Sequence, residues 1–107
     1  MKNLAQMLKQ AGELQARMQA MQDQLATLEV TGGAGNGKVE VVATGKGEVR
    51  RVRIAPELLV QGDAGLLEDL VRVAVNDARA KADAEAKARL SELTGGLPLP
   101  PGFQLPF

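Results

Sequence analysis

"KVEVVATGKGEVRRVRI", residues 38–54, decides the fold. In its first half Val39 and Val41 alternate with Glu40, and in its second half Val52 and Ile54 alternate with Arg51 and Arg53. A period of two is the mark of a strand with one face buried. Between the halves, Gly45-Lys46-Gly47 supplies a turn, because glycine reaches positive φ without a Cβ clash. Alternation assigns Val39, Val41, Val52 and Ile54 to the buried face, with Glu40, Arg51 and Arg53 outward. Upstream, "EVT" at 29–31 reads as another strand and "GGAGNG" at 32–37 as the loop after it, with Asn36-Gly37 as the turn. The expectation is a three-stranded antiparallel meander whose edges pair with a second copy or lie under a helix.

The flanks change period. From residue 2 to 28 the apolar positions are Leu4, Met7, Ala11, Leu14, Met18, Met21, Leu25 and Leu28, spaced 3, 4, 3, 4, 3, 4, 3. That is a heptad stripe on a helix roughly 40 Å long. So narrow a stripe needs a partner, either the chain's other helix or another copy of the chain. The remaining surface is rich in glutamine, a good helix former that also hydrogen-bonds phosphates and base edges. Gly12 costs about 1 kcal/mol against alanine and points to a close contact. Downstream, "APELL" around Pro56 starts a short helical turn and "VQGDAG" is a loop. Residues 66–93 form the second long helix. Leu66, Leu67, Leu70, Val71, Val73, Ala74, Val75 and Ala78 make its first half wide enough to cover the sheet. Its second half is alanine and charge, with Asp77–Lys81, Asp83–Lys87 and Glu85–Arg89 spaced to pair one turn apart. This half runs into solvent or along the first helix. The fold class is therefore α+β: a small three-stranded sheet with two long flanking helices, in the order α-β-β-β-α.

Residues 32–38, "GGAGNGK", fit the first seven positions of a phosphate-binding loop. Val39 then stands where a Ser or Thr is required, and a strand follows where a helix must begin. The stretch reads as a hairpin loop.

Composition excludes most chemistry. The chain has 107 residues, no His, Cys, Trp or Tyr, and a single serine, Ser91. The usual nucleophiles, general bases and transition-metal ligands are nearly all missing. The carboxylates fall in patterns of solvation or helix pairing, so an enzyme is not expected, nor any cofactor, metal or small-molecule substrate. No 18-residue apolar run and no signal-peptide pattern occur, which predicts an intracellular chain without a membrane partner. Thirteen basic residues balance thirteen acidic ones, but by segment they separate. Residues 30–56 carry five basic and two acidic groups, residues 57–93 five basic and eight acidic. The sheet is locally positive and the second helix negative, so the two either neutralise each other or leave a basic strip for phosphates.

A Gln- and Met-rich helix running into "LEVTG", then "RRVRIAPELL", "LLEDLVRVAVNDARAKADAEAKARLSELTGG" and "LPPGFQLPF" follow in that order. Their most specific pieces are Glu68–Val71 with Asn76-Asp77-Ala78, and Leu99-Pro100-Pro101-Gly102-Phe103 with Pro106-Phe107. In that order they resemble the YbaB/EbfC family of bacterial nucleoid-associated proteins over nearly the whole chain. The resemblance implies a homodimer with sheets joined at the centre and paired helical arms projecting like tweezers. It implies binding to double-stranded DNA with low sequence preference, a cytoplasmic location at the nucleoid, and roles in nucleoid organisation and gene regulation. Since the family's arms are held responsible for gripping DNA, the candidates are Lys2, Lys9 and Arg17 on the first helix and Arg79, Lys81, Lys87 and Arg89 on the second. Arg50 and Arg51 match the family's basic pair; pairing with Glu40, Glu48 or the acidic helix weighs equally for them. Asn76 and Asp77 are expected in hydrogen bonding or helix pairing. With acidic groups beside most arm cations, few phosphates are neutralised, so affinity is weak to moderate and salt-dependent. Both aromatics sit at 103 and 107, leaving none elsewhere to stack on unpaired bases.

Two domains of behaviour follow: residues 1–93 as the folding, dimerising and DNA-binding unit, and residues 94–107 as a Pro/Gly/Phe tail. Pro98, Pro100, Pro101 and Pro106 forbid helix there. Leu99, Phe103 and Phe107 are the expected docking residues, onto the protein itself or onto a partner, against the alternative of a flexible tail. A second function class stays open on the residues alone: a dimeric helical adaptor or chaperone-like protein using methionines on protein clients.

Overall fold

The computed structural model describes residues 2–93; the tail with Leu99, Phe103 and Phe107 lies outside the described residues. Helix α1 spans Lys2–Thr27, strands β1, β2 and β3 span Glu29–Ala34, Val39–Thr44 and Val49–Ile54, helix α2 spans Pro56–Val60 and helix α3 spans Ala64–Leu93. The order α-β-β-β-α is thus confirmed, and the strands form one antiparallel sheet in the order β1-β2-β3. The molecule is drawn out, 72 × 24 × 17 Å, because both long helices run past a sheet that is only three strands wide.

The strand after α1 is longer than the sequence reading gives it. Gly32 and Gly33 lie inside β1, paired with Val41 and Glu40, and not in a loop. The reason is packing: a Cβ at Gly32 would sit 2.6 Å from the Ala74 carbonyl oxygen and press on the Ala78 backbone. Without it α3 lies directly on β1. The turn itself is Gly35-Asn36-Gly37, all at positive φ, so "GGAGNGK" is a strand end and a turn.

The sheet's helix-facing side holds one core: Val39, Val41, Ala43, Leu58, Ala74 and Ala78, flanked by Leu67, Leu70 and Val71. Here the expectation for Val52 fails. It lies opposite Val41 and so points to the same side, yet it is 47 % exposed. Helix α3 packs on β1 and β2, so of β3 only Ile54 joins this core, and Val49 to Arg53 stay exposed among the described residues. Leu66 and Val73 likewise turn away from the sheet and are exposed; the helix buries a narrower stripe than its composition suggested.

That stripe, Ala74, Ala78, Ala82, Ala86 and Leu90, recurs every fourth residue and continues beyond the sheet. There it meets α1 in a second core of Met21, Leu25, Ala86 and Leu90, with Leu28 and Leu93 packed against it. The second half of α3 therefore runs along α1. Gly45 sets the junction: its N–H donates to the Leu28 carbonyl at 3.0 Å, and a Cβ there would lie 2.9 Å from the Leu25 carbonyl oxygen. Among the described residues the heptad stripe is covered only near the sheet. Leu4, Met7, Ala11 and Leu14 are exposed, and Gly12 meets nothing within 4 Å, so the close contact expected at Gly12 is not made by the described chain.

Candidate nucleic-acid interface

Which cations are available for phosphates depends on where the carboxylates sit. On the sheet, the outward alternation places Arg51 3.3 Å from Glu29 and Arg53 4.0 Å from Glu40. Between β2 and β3 the register slips, with Val42 opposite Arg51 and Ala43 opposite Val49. Arg50 is the extra residue of this bulge. Its guanidinium reaches the Ala26 carbonyl at 3.5 Å and Glu48 at 3.9 Å. The basic pair is thus engaged with carboxylates of the sheet, while Lys38 pairs with Glu57 at 3.6 Å.

Helix α3 neutralises itself at one-turn spacing. Lys81 lies 3.1 Å from Asp77, Lys87 2.9 Å from Asp83 and Arg89 3.1 Å from Glu85. Lys81 also donates to the Thr31 carbonyl at 3.1 Å, and Arg89 to the Gln24 side chain at 3.1 Å. These contacts tie α3 to β1 and to α1. Asp77 is a second tie, accepting the Gly33 N–H at 3.0 Å. That backbone donor, followed by Lys81, holds the Asp77 carboxyl below its ordinary pKa.

Among the described residues, Lys9, Arg17, Lys46 and Arg79 form no carboxylate pair. Lys9 and Arg17 stand exposed on the outer part of α1; Lys2 opens that helix, its side chain outside the described part. Arg17 and Arg89 line one cleft between α1 and α3. Lys46 and Arg79 line another, where the β2–β3 turn meets α3, with Asp83 also at its wall. The turn is fixed by the Thr44 hydroxyl, which accepts the N–H groups of Lys46 and Glu48 at 3.2 Å each. Unpaired cations therefore occupy both helices and the hairpin tip.

Comparison with known proteins decides what kind of protein carries this surface. The sequence model of the YbaB/EbfC DNA-binding family matches residues 1–97. The chain belongs to that family. A nucleoid-associated protein of Brucella ovis is 47 % identical over 107 residues, the whole of both chains, and one of Brucella melitensis biotype 1 is equally similar. The fold is shared with a crystal structure of an uncharacterized Helicobacter pylori protein, at a TM-score of 0.76, 20 % identity, and coverage of 85 % of this chain and 96 % of that one.

In this YbaB/EbfC chain, sequence reasoning passed over Lys46. Its flanking glycines, Gly45 and Gly47, carried the signal, since they place it at the tip of a turn. Spacing did expose the pairing of Lys81, Lys87 and Arg89. What it did not expose is that Arg79, on the same helix, is left without a carboxylate partner.

Proposed function

We propose that this protein binds double-stranded DNA as a homodimer with low sequence specificity, altering DNA conformation and through it nucleoid organisation and gene expression. The observation that carries the reading is the set of unpaired cations, Lys9, Arg17, Lys46 and Arg79, spread over both helices and the hairpin tip. A duplex phosphate meeting such a cation displaces only counterions, whereas one meeting Lys87 or Arg51 competes with a carboxylate. The paired residues Arg50, Arg51, Lys81, Lys87 and Arg89 are secondary contacts. Their exposed ion pairs are weak enough to exchange a carboxylate for a phosphate. With no basic excess over the chain, binding rests on few phosphates and reads backbone and shape in preference to base edges.

Dimerisation is supported by β3. Among the described residues its outer edge is open, and Val49 and Val52 beside it are 36 % and 47 % exposed. An open edge next to bare valines suits a second copy of the chain.

Fluorescence anisotropy of a labelled ~30 bp duplex, titrated from roughly 50 to 200 mM salt, tests the reading. Affinity falls linearly on a log–log plot, and Lys9→Ala with Arg17→Ala flattens the slope by about 0.9 for each phosphate that is no longer neutralised. No binding at the lowest salt, from folded dimer, refutes it.

A further inference from the structure

Among the described residues nothing covers the apolar face on the outer half of α1. Leu4, Met7 and Leu14 are 59, 62 and 42 % exposed on the same stripe that is buried at Met21 and Leu25, and Leu8 beside it is 67 % exposed. The break falls beside Leu93, the last described residue of α3. Leu93 and Glu92 stand beside Arg17, Ala20 and Met21, and α1 continues past them for about 20 Å to its first turns.

We propose that residues 97–107 of the same chain cover this stripe, with Phe103 packed near Met7. Direction supports it first. Arg89 meets Gln24, and the later residues Glu92 and Leu93 line one cleft with the earlier Arg17 and Met21. Helix α3 therefore runs antiparallel to α1, and chain leaving Leu93 is already headed toward Leu14, Met7 and Leu4. Length agrees. Ten residues separate Leu93 from Phe103, and the six from Leu97 to Phe103 alone advance about 19 Å when extended as polyproline helix. The ten helical residues from Arg17 to Met7 span about 15 Å.

The chemistry also matches. The segment is uncharged and carries Leu97, Leu99, Phe103, Leu105 and Phe107 among four prolines. The stripe it meets is Leu and Met flanked by Gln6, Gln10 and Gln15. Methionine adapts to an aromatic ring, and prolines lower the ordering cost of an extended segment. A tether this short holds the segment near the stripe at millimolar effective concentration, which favours it over a second copy.

The natural chain has no cysteine, so an introduced pair reports its own proximity. Full-length protein with Met7→Cys and Phe103→Cys is oxidised mildly at low concentration and resolved by non-reducing gel and intact mass. A within-chain disulfide is expected in most molecules, while Arg53→Cys with Phe103→Cys, on the outward sheet face, stays reduced. Equal yields from the two pairs, or links mainly between chains, overturn the proposal; the latter result assigns the stripe to a second copy. Hydrogen exchange gives an independent reading without cysteines. In full-length protein carrying Phe103→Ala and Phe107→Ala, amides of residues 4–14 should exchange at least about threefold faster while the strands are unchanged. Unchanged exchange in α1 overturns it. Neither experiment contains DNA, so its outcome is independent of the DNA-binding reading.

Discussion

Gly32 and Gly12 show how the same residue does opposite work at two places. Gly32 is where α3 meets the sheet, and any Cβ there collides with helix backbone that cannot step aside. Gly32→Ala is expected to destabilise by about 3 kcal/mol or more. Gly12 faces open space in mid-helix, and Gly12→Ala should stabilise by up to about 1 kcal/mol; denaturant melts of the two variants give both signs. Asp77 supplies a pH dependence. Its folded pKa is lowered by the Gly33 N–H and then Lys81. The stabilisation is therefore complete above the unfolded carboxyl value, about 3.9, and disappears as pH falls through the lower folded value. Melting temperature should drop across that acid window, and Asp77→Asn should flatten the drop while keeping an acceptor for Gly33.

Few large side chains are fully buried between elements, since the buried residues of α3 are mostly alanines. Small residues bring helix backbones close but bury little area each. The α1–α3 junction therefore depends on Leu25, which is fully buried among Met21, Ala86 and Leu90. Leu25→Ala should cost about 2–5 kcal/mol, whereas Leu59→Ala, on the exposed side of α2, should stay within about 0.5 kcal/mol. Equilibrium urea unfolding separates the two. Period-two alternation announced β2 and β3, and heptad spacing announced α1, because those patterns express backbone geometry directly. The extension of β1 through Gly32-Gly33 was not legible. Glycines signal a loop until the helix that needs their emptiness is in place.

At the scale of the molecule, the unfinished surface is β3. Placing a charge on its bare side, Val52→Asp, should shift the proposed dimer toward monomer in light scattering and leave the secondary structure intact by circular dichroism. Unchanged mass would remove β3 as the dimer contact. Charge was legible only as totals by segment. The sum of thirteen against thirteen conceals that, among the described residues, eight cations face carboxylates while Lys9, Arg17, Lys46 and Arg79 do not.

Element order, the facing of β2 and β3 and the pairs within α3 all followed from the residues in their written order. Each is set by residues within a turn or two of one another, where rise and rotation per residue dictate who meets whom. It took the folded chain to leave Val52 bare although it is patterned like Val41. The same packing buries the heptad stripe at Leu25 and opens it at Met7, and it frees Arg79 while holding Lys81. Those outcomes turn on where α3 crosses the sheet and where it stops along α1. The close approach of Gly32 to Ala74 and Ala78, and of Gly45 to Leu25, fixes that placement through contacts between segments far apart in the chain.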